Sequence, residues 1–149
     1  MHHNSNAQLL QHYSALVMDG ETTLAQLLRT MTPVRQPGIY VFCTVPTLTG
    51  LDLSKCLGLF KETEGLTVIL PQSAADELQL AYSYKAAWIT LTVHSSLAAV
   101  GLTAAFAQAL AQAHISCNVV AAYYHDHIFV AVADAEMALN TLQALAASA

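Results

Sequence analysis

The apolar residues of one short stretch alternate with polar ones. In "WITLTV", residues 88–93, Ile89, Leu91 and Val93 fall on one side of an extended chain, and Thr90 and Thr92 fall on the other. Alternation with a period of two predicts a β-strand with one buried face. A sheet of such strands needs a cover on its apolar side only.

A helical period follows near the end of the chain. Ala138, Leu142 and Leu145 are spaced to form one stripe of a helix, and Glu136 and Asn140 lie on the opposite side. This pattern predicts an amphipathic helix that packs its stripe on the apolar face of the sheet. The sequence therefore favours an antiparallel sheet with helices on one face.

The order of such patterns divides the chain into three parts. Residues 1–37 form a helical segment that ends at "TPVRQPG", and residues 38–86 and 87–149 form two units. The second unit is predicted to contain the strand above, a helix in "LAAVGLTAAFAQALAQAH", strands in "ISCNVVAAY" and "HIFVAVA", and the last helix. The first unit contains a strand in "IYVFCTV", a hairpin in "LFKETEGLTVILP" and a short helix. The predicted class is α+β, with two ferredoxin-like units.

Both predicted units depart from the full βαββαβ plan. The first is degenerate, since the residues between Val45 and Leu59 leave little room for a helix. The second ends after its last helix and lacks a final strand. Either that edge stays open, or a strand from the N-terminal half, such as residues 39–44, completes it; an open edge invites a partner.

Composition narrows the possible partners. Of 149 residues, 55% are hydrophobic and only 10% are charged, so a homodimer or larger homo-oligomer that hides extra apolar surface is expected. The formal net charge is -5, and the five lysines and arginines are scattered, which argues against nucleic acid as a partner. The most apolar stretch is interrupted by polar residues, so no membrane span is predicted.

The three cysteines bear on the compartment and on the chemistry. Cys43, Cys56 and Cys117 are widely spaced, with no Cys-x-x-Cys motif, which indicates neither a disulfide framework nor a cysteine zinc site. The first residues carry no basic segment before an apolar run, so a cytoplasmic location is expected. Neither a phosphate-binding glycine loop nor a nucleophile elbow is present, so no enzyme, no catalytic residue and no cofactor is predicted.

The C-terminal half resembles an ACT domain, the regulatory module of aspartate kinases and other enzymes of amino-acid metabolism. The resemblance rests on a strand entering a small-residue loop, on the step Val100-Gly101-Leu102 into a helix, on "ALAQAHIS" leading to a strand, and on "DAEMALNTL" as the final helix. With "YVFCTV" and "FKETEGLTVILP" it extends over most of residues 38–147 and is similar to small bacterial proteins built of tandem ACT domains. It implies a small-molecule sensor whose ligand is an amino acid.

The loop between the first strand and the first helix of the second unit is the predicted ligand site. By resemblance, Ser95, Ser96, Val100 and Gly101 contact the ligand, and more loosely Ser116 and Asn118. A helix start favours a carboxylate through its free N–H groups. The alternative is that Ser95 or Ser96 only caps the helix and Gly101 only permits close packing. His94 ends the strand on its polar side and is a candidate to hydrogen-bond the ligand. The alternatives are a histidine bonded to a backbone carbonyl and the third member of a three-histidine site.

A metal site is the remaining hypothesis. The stretch "YYHDHIF" places His125 and His127 two residues apart, a spacing at which strand side chains share a face. Without a cysteine or further acidic ligand, the pair is interpreted as turn and surface residues, and no metal is predicted. A ligand-free interaction module is therefore the main alternative to an amino-acid sensor, and a histidine-based metal protein comes third.

Overall fold

The structure, a computed structural model, describes residues 20–93 and 99–149. Its elements there, in chain order, are helix α1 (Gly20–Thr30), strands β1 (Thr32–Arg35) and β2 (Tyr40–Val45), a 3-10 turn (Leu53–Lys55), strands β3 (Gly58–Lys61) and β4 (Leu66–Pro71), helix α2 (Gln72–Glu77), strand β5 (Lys85–Thr92), helix α3 (Leu102–Gln112), strands β6 (Asn118–Ala121) and β7 (Asp126–Ala131), a second 3-10 turn (Val132–Asp134) and helix α4 (Ala135–Ser148). In this part of the chain, the seven strands form one sheet.

The sheet is antiparallel and centres on β5. Its order is β3-β4-β2-β5-β7-β6, with β1 also paired to β5. One edge of β5 is shared, because Ala86 pairs with Tyr40 of β2 whereas Ile89 to Thr92 pair with β1. Between these two pairings, the chain bulges at residues 36–39, where Gln36 N donates to Trp88 O at 2.8 Å.

Two ferredoxin-like units follow from this order. The first has the strand order β5-β2-β4-β3 and the second β1-β5-β7-β6, so each has the 4-1-3-2 order of a βαββαβ unit. The first unit has a 3-10 turn where its first helix would stand, which confirms that it is degenerate.

The predicted gap at the end of the second unit is filled from the N-terminal side of the chain. The strand that fills it is β1, at Thr32–Arg35, and not residues 39–44, which lie in the first unit. Its short sequence TPVR tolerates Pro33 because β1 pairs with a single neighbour, so the missing N–H need not break a ladder. The alternative that a strand from the N-terminal half completes the unit is therefore confirmed, with β1 in place of residues 39–44. This position of the sheet then gives no reason to expect an oligomer.

The described helices all pack on one side of the sheet. This helix face carries Ile89, Leu91 and Ile128 under α1, α3 and α4, and carries Val41 and Leu70 against α2. The predicted alternation of β5 and the predicted stripe of α4 are both confirmed, since these apolar positions are buried or half-buried. In the described ranges, no helix is long and apolar enough to cross a membrane.

The other side, called the open face here, carries no helix from the described residues. Its strand side chains include Tyr40, Phe42, Trp88, His127 and Phe129. These aromatic rings pack against one another, and neighbouring side chains partly cover them. The sheet therefore has an aliphatic face under helices and an aromatic face without them.

Candidate functional site

Helix α3 begins at the end of the sheet where β5 finishes. Both β5 and β6 are antiparallel to β7, so they run parallel to each other and the connection between them must return. The first turn of α3 therefore lies beside the C-terminal end of β5. The predicted ligand loop leads into this point.

Gly101 is the N-cap of α3. Its φ of 100° lies in the left-handed region, and Ala105 N donates to its carbonyl oxygen at 2.9 Å. Gly101 has no side chain that could cap this helix, and the N-terminus of a helix favours an anion. The helix starts at Leu102. Ser95 and Ser96, whose alternative interpretation was that one of them caps the helix, lie outside the described residues, so this alternative stays open.

The other predicted residues fall into three groups. Val100 is 88% exposed beside the helix start. His94, Ser95 and Ser96 lie outside the described residues. Ser116 and Asn118 form the third group, at the opposite end of α3.

Ser116 and Asn118 lie far from Val100 and Gly101. They follow the C-terminal end of α3, and an 11-residue helix is about 16 Å long. Asn118 pairs with Phe129 on the open face, where its Nδ2 donates to Phe129 O at 3.4 Å. One amino-acid ligand at the start of α3 cannot also contact Ser116 and Asn118 of the same chain.

Asp126 is the polar residue that sequence reasoning missed at this end of the sheet. It is the first residue of β7, opposite Leu91 near the end of β5. Ile128 and Val130 alternate with it and are buried on the helix face, so Asp126 faces the same way. The alternation itself was the available signal, since it places a carboxylate in phase with core residues.

The Asp126 carboxylate lies largely out of solvent. The residue is only 8% exposed. Burial raises the pKa of Asp126, while His127 and His125 act to lower it. A buried carboxylate of this kind favours a bound cation or a proton.

His127 lies on the open face, one residue from Asp126 along the strand. Trp88 Nε1 donates to His127 Nδ1 at 2.9 Å, and Thr90 Oγ1 lies 3.2 Å from the same nitrogen. His127 is half-buried and bonded, so its interpretation as a turn or surface residue was wrong. Within the described ranges, no group of three histidine, cysteine or acidic side chains is placed to hold a metal ion.

We expect the Trp88–His127 bond to break in acid. Burial, followed by the charge of His125, lowers the pKa of His127, and Asp126 opposes this effect. Because the unfolded chain takes up the proton first, the stability from neutral His127 is complete above the ordinary histidine pKa of about 6.5. It declines as the pH falls from there through the lower folded value.

The measurement is the emission of Trp88 as a function of pH. Wild-type protein should show an emission change below about pH 6.5, because protonated Nδ1 cannot accept the indole N–H. His127→Gln should remove that change, and His114→Asn, a replacement of an exposed histidine, should keep it. An identical change in His127→Gln would contradict the assignment.

The cysteines give no sign of a nucleophile. All three are free. Burial raises the pKa of Cys117 to about 11, and burial also raises the pKa of Cys43 and Cys56. A thiol with a raised pKa carries little thiolate at neutral pH.

A shallow cleft lies in the first unit, where that unit lacks its first helix. It is lined by apolar side chains and by charged ones: Gly50, Leu51, Asp52, Lys55, Leu70, Ala74, Glu77 and Leu78. Lys55 Nζ lies 3.7 Å from Glu77 Oε2, but both side chains are exposed. Such a surface pair contributes little to stability or to ligand selection.

Comparison with known families matches both halves of the chain to the same one. ACT-domain profiles match residues 19–87 and residues 83–144. The two matches overlap at residues 83–87, which include the first residues of β5, the strand that both units share. No match was found among curated proteins.

Solved structures agree with this result. A Vibrio cholerae protein of unknown function, described as a possible transport protein, is 47% identical; the alignment covers 85% of this chain and 98% of that one, with a TM-score of 0.76. A protein from Agrobacterium tumefaciens is 14% identical over 78% of this chain and 89% of its own, with a TM-score of 0.59. The ligand-free regulatory subunit of aspartate kinase from Thermus thermophilus is 9% identical over 78% and 97%, with a TM-score of 0.53. The last two likenesses concern the fold alone.

Proposed function

The chain belongs to the ACT-domain family, and from this we propose that it is a regulatory protein that binds a small molecule, an amino acid. ACT domains are typically regulatory, amino-acid-binding modules, and here two of them stand in tandem. The two consecutive ACT-domain matches are the main support for the proposal. A cytoplasmic location is part of it, supported by three free cysteines.

We place the ligand at the start of α3. An amino acid carries a carboxylate and an ammonium group, and this end of the sheet offers a partner for each. The first N–H groups after Gly101, which no described side chain caps, suit the carboxylate. The buried carboxylate of Asp126 suits the ammonium group, and Val100 is exposed to meet the side chain. His94, Ser95 and Ser96, which precede this point in the chain, remain part of the proposed site.

The electrostatics of Asp126 support this placement. Because folding raises its pKa, the folded protein holds the carboxyl proton more tightly than the unfolded chain does. Its effect on stability is most favourable below the ordinary aspartate pKa of about 3.9 and worsens as the pH rises through the folded value. A charged group that destabilises the fold near neutral pH is typical of a binding site.

The test is a thermal-shift panel of the free amino acids at neutral pH. A ligand that binds only the folded protein stabilises it by about 2.7 kcal/mol at a hundredfold excess over Kd. We expect one amino acid, or one chemical group of them, to raise Tm. Failure of the whole panel on well-folded protein would overturn the amino-acid proposal.

Asp126→Asn tests the position of the ammonium group. Without ligand, this variant should melt above wild type at neutral pH and lose that advantage in acid, because it removes an unfavourable charge. With the amino acid found by the panel, its Tm shift should disappear. Glu136→Gln, a neutralisation on the exposed side of α4, should leave both results unchanged. If the ligand raises the Tm of Asp126→Asn as much as that of wild type, Asp126 is not part of the site.

A ligand-free interaction module is the second candidate. The observation that favours it is the aromatic open face, which no described helix covers. ACT domains commonly oligomerise, and an interaction surface is compatible with a ligand site elsewhere on the same chain. If no amino acid binds, this function takes precedence.

A further inference from the structure

Charge is divided unequally between the two sides of the sheet. Each of the four charged strand residues pairs with a residue of the helix face: Arg35 with Ile89, Lys61 with Leu66, Lys85 with Val41, and Asp126 with Leu91. Directly opposed residues of an antiparallel pair share a face. In the described strands, the open face therefore has no aspartate, glutamate, lysine or arginine. A solvent-facing sheet surface ordinarily has the reverse distribution.

Aromatic rings occupy the centre of this uncharged face and join its two units. Phe42 of the first unit meets Phe129 of the second at 5.4 Å between ring centroids. Tyr40 meets Trp88 at 5.3 Å, also edge to face. Ala86, which is fully buried, lies in the same cluster. The two units thus share one continuous aromatic platform.

Apolar side chains continue from the platform to the outer strands. Phe60 of β3 is 71% exposed and faces this side, since it pairs with Thr67 of β4. Val120 of β6, at the other end of the sheet, and Val34 of β1 are exposed on the same side. The apolar surface therefore spans the width of the sheet.

We propose that the open face is the surface through which two copies of this chain associate, sheet against sheet. A partner with charged side chains would have to bury them against rings that offer no countercharge, which is unfavourable. A second open face carries no charge and matches the first. In a twofold pair, the same patch serves both copies.

The outer strands have to provide much of the contact in such a pair, because the central Phe129 and Tyr40 are only 2% and 8% exposed. Six strands about 4.8 Å apart and about 20 Å long give a footprint of roughly 600 Å². A standard interface buries about 800 Å² of accessible surface per partner, so the exposed Phe60, Val120 and Val34 are the side chains that would add most to it. Two such faces packed about 10 Å apart would form a common aromatic core.

The test adds one charge to the face and follows mass and Trp88 together. Phe60→Lys and Val120→Lys change exposed positions at opposite ends of the sheet, so each variant should fold. Met137→Lys is the matched control, because Met137 is 56% exposed on helix α4, on the other side of the sheet. Light scattering and sedimentation give the mass, and acrylamide quenching reports on Trp88, the single tryptophan of the chain.

Wild type at tens of micromolar should have twice the 15.9 kDa mass of one chain and a shielded Trp88. Phe60→Lys and Val120→Lys should each raise the dissociation constant at least tenfold and make Trp88 more open to acrylamide. Met137→Lys should behave as wild type.

Three results would overturn the proposal. The first is a wild type that is monomeric, whether or not its Trp88 is shielded. The second is a dimer that stays intact in both Phe60→Lys and Val120→Lys. The third is a dimer that Met137→Lys disrupts as much as these two variants do. The proposal does not depend on ligand binding, so failure of the amino-acid panel leaves it standing.

Discussion

Replacing Phe106 with alanine should lower the free energy of unfolding by about 3–5 kcal/mol. Phe106 lies in the middle of α3, is fully buried, and belongs to the core that joins the helices to β5 and β7. Its removal takes a large apolar surface out of the core and leaves a cavity that the fixed sheet cannot fill. Urea denaturation followed by circular dichroism measures the loss.

The control for this variant is Met137→Ala. Met137 lies on the exposed side of α4, and exposed substitutions usually change stability by less than about 0.5 kcal/mol. A domain of this size has a free energy of unfolding of about 5–15 kcal/mol, so the Phe106 variant should lose a large part of its stability. A loss below about 1 kcal/mol would show that α3 is not packed on the sheet as described.

The elements with a clear period were predictable from the sequence. Strand β5 alternates strictly between aliphatic residues and threonine over its second half, so its buried side follows from the sequence alone. Helix α4 has its stripe at Ala138 and Leu142, and both residues are fully buried. In each case, the same residues decide the local conformation and the packing.

Strand β1 could not be predicted in the same way. Its four residues contain a proline and have no alternation of their own, and they follow directly on a helix. They are extended because β5 presents a free edge to them, which is a long-range pairing between residues about 60 positions apart. Local propensity contains no information about such a partner.

The sequence did not show which face of the sheet is open. In "YVFCTV" both sides of the strand are apolar, so alternation does not tell which side the helices cover. The assignment depends on strand pairing. Tyr40 pairs with Ala86 of β5, and Ala86 pairs with Ala131 of β7, so the aromatic side of β2 lies on the open face.

The ligand site stays a prediction, but the helix beside it was predicted to start too early in the chain. The apolar, alanine-rich run suggested a helix from residue 97, whereas α3 starts at Leu102 after a glycine with positive φ. Alanine has a high helix propensity, but Gly101 interrupts the run with a conformation that other residues rarely adopt. The serines were for this reason assigned to a helix start that lies further along the chain.

Substitution of Gly101 should therefore affect stability and binding separately. Any side chain at a φ of 100° is strained, by about 1–3 kcal/mol, and a Cβ there would lie 3.0 Å from Leu24 Cδ2. Gly101→Ala and Gly101→Asp should both lose stability by this amount, as measured by urea denaturation. A test that used Gly101→Asp alone would confuse this loss with an effect on the ligand.

The comparison of the two variants isolates the charge at the helix start. Both carry the same backbone strain and the same contact with Leu24, but only Gly101→Asp places an anion beside the proposed ligand carboxylate. Gly101→Asp should bind the amino acid at least tenfold more weakly than Gly101→Ala, which corresponds to about 1.4 kcal/mol. Binding is measured by calorimetry at a temperature where both variants are folded by circular dichroism. Equal affinities would place the ligand carboxylate elsewhere, because a negative charge next to the first N–H groups of α3 repels a carboxylate bound there.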